Sequence, residues 1–113
     1  MKIITDKISR SELKELMQKM FGNFVKAVVD INKKIMVIDA DLHSDEESLL
    51  LQNESKQEDL WGINLYPEID SEDWIEFDSM INLRPSQNNR SRGVDSPEIR
   101  KIIIEIVNSL VQR

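Results

Sequence analysis

Apolar residues recur at helical spacing in two segments, one near each end of the chain. The first segment follows Ser9, which together with Glu12 fits a helix capping box, and its apolar stripe is Leu13, Leu16, Met17, Met20 and Phe21. The second follows Asp95 or Ser96, and its stripe is Ile99, Ile102, Ile103, Ile106, Val107 and Leu110. Such spacing places the apolar side chains on one side of a helix. The pattern therefore predicts an amphipathic helix at each end, the first of which ends at Gly22.

Between these helices the chain alternates segments rich in β-branched residues with short polar turns. The apolar segments predict an edge strand at residues 1–5 and four long strands at residues 24–31, 35–42, 60–66 and 74–83. Ser44 and Glu47 fit a second capping box and predict a short helix from Asp45 to about Gln52. The predicted fold is α+β, in the order β-α-β-β-α-β-β-α. We expect a mainly antiparallel sheet of four to five strands, with the N- and C-terminal helices packed on one face.

Side-chain alternation divides the predicted sheet into two different faces. One parity is apolar and should receive the two helices; it includes Val25, Val29, Met36, Ile38, Trp61, Ile63, Ile75 and Phe77. The other parity, which we call the mixed face, carries Phe24, Lys26, Val28, Asp30, Ile35, Val37, Asp39, Asp41, His43, Asn64, Tyr66, Trp74, Glu76, Asp78, Met80, Asn82 and Arg84. Apolar side chains grouped on a sheet surface indicate an interface. We therefore expect this face to be covered, most simply by a second copy of the chain in a homo-oligomer.

Composition limits the classes of function. With 113 residues the chain is long enough for one domain, residues 1–113, with a single core. Its 21 acidic residues exceed its 15 basic residues, and the net charge of -6 argues against a nucleic acid partner. It contains no cysteine, which excludes thiolate catalysis and Cys-ligated zinc. No apolar run reaches the length of a membrane span, and the first residues lack a signal-peptide core, so we expect a cytoplasmic protein without a membrane partner.

Three blocks of the sequence resemble a known family. They are AVVDINKKIMVIDADLHSDEESLLL at residues 27–51, SKQEDLWGINLYP at residues 55–67 and IEFDSMINLRPSQNNRSRGV at residues 75–94. These blocks are similar to those of a family of short, single-domain prokaryotic proteins of unknown function. The resemblance implies a bacterial or archaeal protein. It brings no established activity, substrate or catalytic residue.

The segment before the last helix concentrates cationic and hydrogen-bonding side chains. Residues 84–92, which we call the arginine loop, hold three arginines, two serines and two asparagines. Guanidinium groups bind phosphate and carboxylate in bidentate fashion, and hydroxyls and amides can complete such a site. We therefore predict a binding site for a small anionic ligand made by Asn82, Arg84, Ser86, Asn89, Arg90, Ser91 and Arg92. The alternative is that these arginines pair with acids of the same chain, among them Asp45, Glu46, Glu47, Glu58 and Asp59.

Three further patterns point less clearly to chemistry. Asp39, Asp41 and His43 occupy alternate positions of a predicted strand and, with Glu76 and Asp78 on a neighbour, could hold Mg²⁺ or supply a general base. Residues 54–56 form the E-x-K pattern of some metal-dependent nucleases, but they fall in a polar turn. Trp74 could stack on a planar ligand. None of these spacings is specific, so we assign no metal site, no catalytic residue and no cofactor.

Two functional hypotheses follow from these observations. In the first, the chain binds, and as an enzyme would act on, a phosphate- or carboxylate-bearing ligand at the arginine loop. In the second, it is a non-enzymatic interaction module that self-associates through the mixed face. The first requires the three guanidinium groups to converge on an open cleft, whereas the second requires carboxylates to occupy them.

Overall fold

A five-stranded antiparallel sheet forms the centre of the protein. The computed structural model describes residues 1–112. Seven strands are numbered along the chain: β1 (Lys2–Ile4), β2 (Ile8–Ser9), β3 (Val25–Asp30), β4 (Ile35–Ile38), β5 (Leu60–Leu65), β6 (Ile75–Glu76) and β7 (Val111–Gln112). The main sheet has the order β1-β4-β3-β5-β6, and β2 pairs with β7 in a separate parallel pair. The predicted α+β fold with an antiparallel sheet is confirmed.

Helices α1 (Arg10–Lys19) and α3 (Pro97–Leu110) pack on one face of this sheet, as the apolar parity predicts. Their ends follow the sequence signals. The Ser9 side chain accepts a hydrogen bond from the Glu12 amide at 3.1 Å, and Ser96 caps α3 in the same way. After α1, the amide of Gly22 donates to the Met17 carbonyl at 2.7 Å with a φ of +88°, a conformation that favours glycine. Within residues 1–112, no helix has both the length and the apolar character needed to cross a bilayer.

Helix α2 (His43–Gln52) lies on the opposite, mixed face of the sheet. It buries Leu50 against Val28, Val37 and Leu60 in a second, smaller core. The apolar side chains of this part of the mixed face are therefore covered by the chain itself. A second copy is not needed to remove Val37 from water, because its exposed fraction is already 0%.

The predicted fourth long strand is wrong after its first residues. Only Ile75–Glu76 pairs with β5, and the chain then turns into a 3₁₀ helix at Met80–Asn82. Trp74 also lies in a 3₁₀ turn, where strand alternation does not apply. Its side chain is therefore 2% exposed on the face of α1 and α3, not on the mixed face, and the Arg10 guanidinium lies 4.3 Å from its ring centroid.

The second strand and the second capping box are also corrected. Strand β4 ends at Ile38 because Asp39 adopts a left-handed conformation with a φ of +69°, which interrupts the extended chain. Helix α2 then begins at His43, two residues earlier than predicted. Its N-cap is Leu42, whose side chain cannot accept a hydrogen bond, and Ser44 lies within the first turn.

Candidate functional site

A cavity of about 440 Å³ opens on the part of the mixed face that α2 leaves uncovered. Its walls come from the first turn of α2, from β3, β5 and β6, and from the segment that follows β6. Phe24, Leu42, Met80 and Ile81 supply its apolar side chains. Its polar side chains are Lys26, His43, Ser44, Asn64, Tyr66, Glu76, Asp78, Ser79 and Arg92. The volume suits a ligand of metabolite size.

A polar row crosses the floor of the cavity. Lys26 on β3 is paired in register with Asn64 on β5, which is paired in turn with Glu76 on β6. The Asn64 amide nitrogen donates to Glu76 Oε1 at 2.9 Å and to the Asp78 carbonyl at 3.3 Å. The Tyr66 hydroxyl donates to the same Glu76 oxygen at 3.1 Å. These bonds fix the amide orientation, and they leave the buried Asn64 Oδ1 without a hydrogen-bond partner.

The buried oxygen of Asn64 indicates that the floor of the cavity lacks one hydrogen-bond donor. Asn64 is 7% exposed, so water has little access to it. Leaving such an oxygen without a donor costs about 1–3 kcal/mol. Flipping the amide would not remove this cost, because it would turn the oxygen toward Glu76 and the Asp78 carbonyl, which are both acceptors.

His43 is held with one defined tautomer. Its Nε2 lies 2.8 Å from the Ile63 carbonyl oxygen, which can only accept, so Nε2 carries the hydrogen. Burial lowers the pKa of the imidazole, and Lys26 and Arg92 lower it further, whereas the Ile63 carbonyl and Asp78 act in the opposite direction. A histidine with a pKa below its usual value is neutral at pH 7, so its Nδ1 is an acceptor. The ring therefore has the form that a general base requires.

The N-terminus of α2 contributes partial positive charge to the same cavity. The Leu42 N-cap makes no side-chain hydrogen bond, so within residues 1–112 the first turn has no side-chain cap. The amides of Asp45 and Glu46 bond back to the Leu42 carbonyl at 3.2 and 3.4 Å. A helix end without a side-chain cap favours anions. Lys26 adds a full charge nearby and lies 5.1 Å from the Phe21 ring centroid.

Arg92 is the member of the arginine loop that lines the cavity. Its Nε bonds Asp78 Oδ1 at 2.8 Å, and the two side chains are 56% and 44% exposed. An ion pair with this exposure contributes little stability, about 0–1 kcal/mol. The guanidinium therefore remains available to a competing anion.

Arg84 is not among the residues that line the cavity, and its guanidinium contacts other parts of the chain. It is 9% exposed, its guanidinium donates to the carbonyls of Gln57 and Leu60, and it lies 4.1 Å from the centroid of the Trp61 ring. Cation–π contact and two backbone acceptors together account for its burial. Its role in the structure is to tie the arginine loop to the start of β5.

Asn82 and Asn89 hold the interior of the arginine loop. The Asn82 side chain accepts from the Gly62 amide at 2.8 Å and donates to the Gly62 carbonyl at 2.9 Å, which continues the sheet where β6 has ended. Asn89 donates to the carbonyls of Asn82 and Gly93 at 2.7 and 2.8 Å. Its oxygen accepts from the amide of Asp95 at 2.8 Å. Two buried amides thus replace backbone pairing.

The exposed side of the loop is closed by Asp95. Its carboxylate accepts from the Ser91 hydroxyl at 2.5 Å and from the Arg90 amide at 2.8 Å, and these bonds hold the pKa of Asp95 below its usual value. Ser86 and the Arg90 side chain are exposed and are not among the residues that line the cavity. In the described part of the chain the predicted set does not gather at one opening, and Arg92 is its member in the cavity. A ligand role for the other six stays a prediction.

The predicted internal partners of the arginines also differ from those observed. Among residues 1–112, Arg92 forms its ion pair with Asp78, and neither Arg84 nor Arg90 forms one with Asp45, Glu46, Glu47, Glu58 or Asp59. Backbone carbonyls take that place for Arg84. The predicted gathering of Asp39, Asp41 and His43 is likewise lost, because β4 ends at Ile38. In the region that the structure describes, no group of three acidic or histidine side chains is arranged to share a metal ion.

Comparison with known proteins identifies the family. A family model described as "Protein of unknown function (DUF5674)" matches residues 2–110. The chain belongs to this family. The match includes every residue that lines the cavity, and the expected membership in a family of unknown function is confirmed. The search found no match among curated proteins and none among solved structures.

One further residue of this DUF5674 chain stands out beneath the cavity. Glu46 is 0% exposed, and among residues 1–112 neither of its carboxylate oxygens has a well-aligned hydrogen-bond partner, although the backbone of Ala40 lies near enough to lower its pKa. Burial raises its pKa to about 10, although Lys26 acts in the opposite direction. Glu46 is therefore a neutral acid at pH 7.

The sequence pattern named Glu46 only among the acids that could pair with the arginines, and among residues 1–112 it forms no such pair. The signal that could have found its burial is its spacing from His43. Residues three apart share one side of a helix, so an α2 that begins at His43 turns both side chains toward the sheet.

Proposed function

We propose that the protein binds a small molecule bearing a carboxylate or phosphate group, and that the cavity is its binding site. The observation that carries the proposal is the helix N-terminus of α2, which has no side-chain cap and opens into this cavity. Lys26 and Arg92 line the same space and supply full positive charges. Asn64 adds a buried oxygen without a partner among residues 1–112, which can accept a hydrogen bond from another part of the ligand. The helix N-terminus and Lys26 thus supply positive charge without an ion pair inside the described part of the chain, and Arg92 adds a charge whose ion pair with Asp78 is exposed.

This proposal moves the predicted anion site from the arginine loop to the cavity beside it. Arg84, Asn82 and Asn89 are occupied by backbone groups, so a ligand would have to displace bonds that hold the loop. Arg92 requires only the exchange of an exposed ion pair. Binding at the cavity is therefore the less costly arrangement.

Thermal shift with phosphate, sulfate, acetate and succinate at matched ionic strength tests the proposal. A ligand that binds only the folded state raises the melting temperature with the logarithm of its concentration. We expect Lys26→Met and Arg92→Met to abolish the shift. The matched controls Lys101→Met and Arg90→Met, at exposed positions outside the cavity, should retain it.

Two results would contradict the proposal. Loss of the shift in Arg90→Met with its retention in Arg92→Met would return the site to the exposed arginine loop. The absence of a shift with any of the four anions in the wild-type protein would remove the evidence for an anion site.

We propose self-association through the rim of the cavity as the alternative function. Leu42 and Met80 are 53% and 63% exposed there, which is unusual for large apolar side chains on adjoining segments. Sedimentation of the wild-type protein and of a Leu42→Ser/Met80→Ser variant tests it. A wild-type monomer at high micromolar concentration would exclude this alternative. Cytoplasmic location and prokaryotic origin are proposals from the sequence alone.

A further inference from the structure

The charges that line the cavity are balanced. Lys26 and Arg92 are cationic, Glu76 and Asp78 are anionic, and His43 is neutral at pH 7. A simple anion in this space would meet two carboxylates as well as two cations. Electrostatic complementarity therefore favours a ligand that carries both signs of charge.

One cation and one anion of this set, Lys26 and Glu76, are separated along the sheet, whereas Arg92 and Asp78 pair with each other at 2.8 Å. Lys26, Asn64 and Glu76 occupy neighbouring register positions on three adjacent strands. Strands in a sheet lie about 4.8 Å apart, so the backbones of Lys26 and Glu76 are about 10 Å apart. The cationic end lies toward α2, whose N-terminus adds to it, and the anionic end lies toward β6.

The anionic end combines an exposed carboxylate, Glu76, with a buried acceptor, Asn64 Oδ1, that lacks a donor within residues 1–112. Glu76 Oε1 already accepts from Asn64 and Tyr66, and no protein group within residues 1–112 donates to Glu76 Oε2. The buried Asn64 Oδ1 beside it has no donor either. An ammonium group has three donors and a positive charge, so it can donate to the buried Asn64 oxygen and offset the negative charge of Glu76.

We propose that the ligand is zwitterionic and belongs to the class of amino acids and amino phosphates. Its carboxylate or phosphate would lie at the α2 N-terminus and Lys26, and its ammonium group at Glu76 and Asn64. This inference rests on the proposed anion site and adds the second charge. The apolar rim fits a hydrophobic substituent, because the ring of Phe24 packs against that of Tyr66 in a tilted arrangement with centroids 5.5 Å apart, and Met80 is largely exposed.

The first experiment compares ligands that differ by one charged group. Calorimetric titration of the wild-type protein would use L-phenylalanine, its deaminated analogue 3-phenylpropionate and its decarboxylated analogue phenethylamine. The remaining nineteen amino acids and phosphoethanolamine would be screened by thermal shift, and each that binds would be compared with its own acid and amine. We expect the zwitterion to bind about tenfold or more tightly than either fragment, as expected when a charged hydrogen bond is lost.

The second experiment locates the ammonium group. Glu76→Gln should lower the affinity for the zwitterion about tenfold or more and leave the affinity for the acid fragment unchanged. Glu68→Gln, at an exposed position outside the cavity, is the matched control and should change neither. If Glu76→Gln does not fold, the comparison of wild-type affinities decides the question without it.

The outcomes separate this inference from the proposed function. If the acid fragment binds as tightly as the zwitterion, the zwitterion proposal is overturned and the anion site stands. If the amine binds as tightly as the zwitterion, the anion site is overturned, and this inference with it. If no member of the panel binds, this inference is overturned, and the thermal shift with the four simple anions decides whether the anion site stands.

Discussion

Replacing Glu46 by glutamine should make the protein more stable at neutral pH. Burial raises the pKa of Glu46 from 4.5 to about 10, so the folded protein holds a proton that the unfolded chain releases above pH 4.5. Each pH unit of this difference corresponds to about 1.4 kcal/mol. At pH 7 the unfolded chain has gained about 3 kcal/mol relative to the folded protein through this one group. Glutamine is neutral in both states and removes that term.

The sign of the pH dependence follows from the raised pKa. Below pH 4.5 the carboxyl is protonated in both states, so its contribution to folding is most favourable there. The contribution is lost progressively as pH rises from 4.5 toward 10, because only the folded protein keeps the proton. The stability advantage of Glu46→Gln should therefore grow with pH, by about 1.4 kcal/mol per unit at most.

Urea denaturation followed by circular dichroism at pH 5, 6, 7 and 8 measures this difference. The glutamine amide brings hydrogen-bond donors that Glu46 lacks, and these change the free energy of unfolding by the same amount at every pH. The quantity to compare is therefore the slope, against pH, of the difference in free energy of unfolding between variant and wild type. Glu15→Gln, an exposed position on α1, is the control and should give a flat difference. A flat difference for Glu46→Gln as well would refute the reasoning, because it would show that Glu46 is ionised and paired with Lys26 in the folded protein.

Three further substitutions test the scaffold around the cavity by urea denaturation. Arg84→Ala should lower the free energy of unfolding by about 3 kcal/mol, because it leaves two backbone carbonyls without donors and removes a ring contact. The control Arg90→Ala should lower it by less than about 0.5 kcal/mol. Equal losses would contradict the structural role of Arg84. Asn82→Ala should cost about 2–3 kcal/mol, since both polar groups of Gly62 lose their partner, and a loss below about 1 kcal/mol would show that water replaces the amide. Val37→Asp should unfold the protein and not merely dissociate it, because Val37 is fully buried beneath α2, and a folded monomeric variant would contradict that burial.

The positions of the two terminal helices and the central strands could be predicted because their signals are local. Strand alternation placed Ile63 and Val29 toward α1 and α3, and serine caps marked where α1 and α3 begin. Alternation failed after Glu76, where the apolar and polar residues still alternate but the chain coils into a 3₁₀ helix. The cause is tertiary: the Asn82 side chain takes the hydrogen bonds of Gly62 that a continued strand would have taken.

The candidate site was predicted only in part, for a similar reason. The mixed face gathered Lys26, Asn64 and Glu76 correctly, because their placement depends on strand register. The arginine loop was assigned from composition, which cannot distinguish an arginine that awaits a ligand from one that binds backbone carbonyls. Carbonyl acceptors belong to every residue and leave no mark in the sequence, so the partners of Arg84 could not be anticipated.

The protonation of Glu46 also determines what the cavity can bind. Were Glu46 ionised, it would attract the ammonium group of Lys26 and reduce its attraction for a ligand's carboxylate or phosphate. Because burial keeps Glu46 neutral, its carboxyl group does not offset the positive charge of Lys26. A buried acid whose raised pKa should lower stability by about 3 kcal/mol at pH 7, and which has no ion-pair partner in the described part of the chain, departs from the rules that the rest of the core follows. Such departures are expected at functional sites, and this one lies one helical turn from His43. The pH dependence of unfolding and the ligand affinity of Glu46→Gln thus both report on whether Glu46 is protonated in the folded protein.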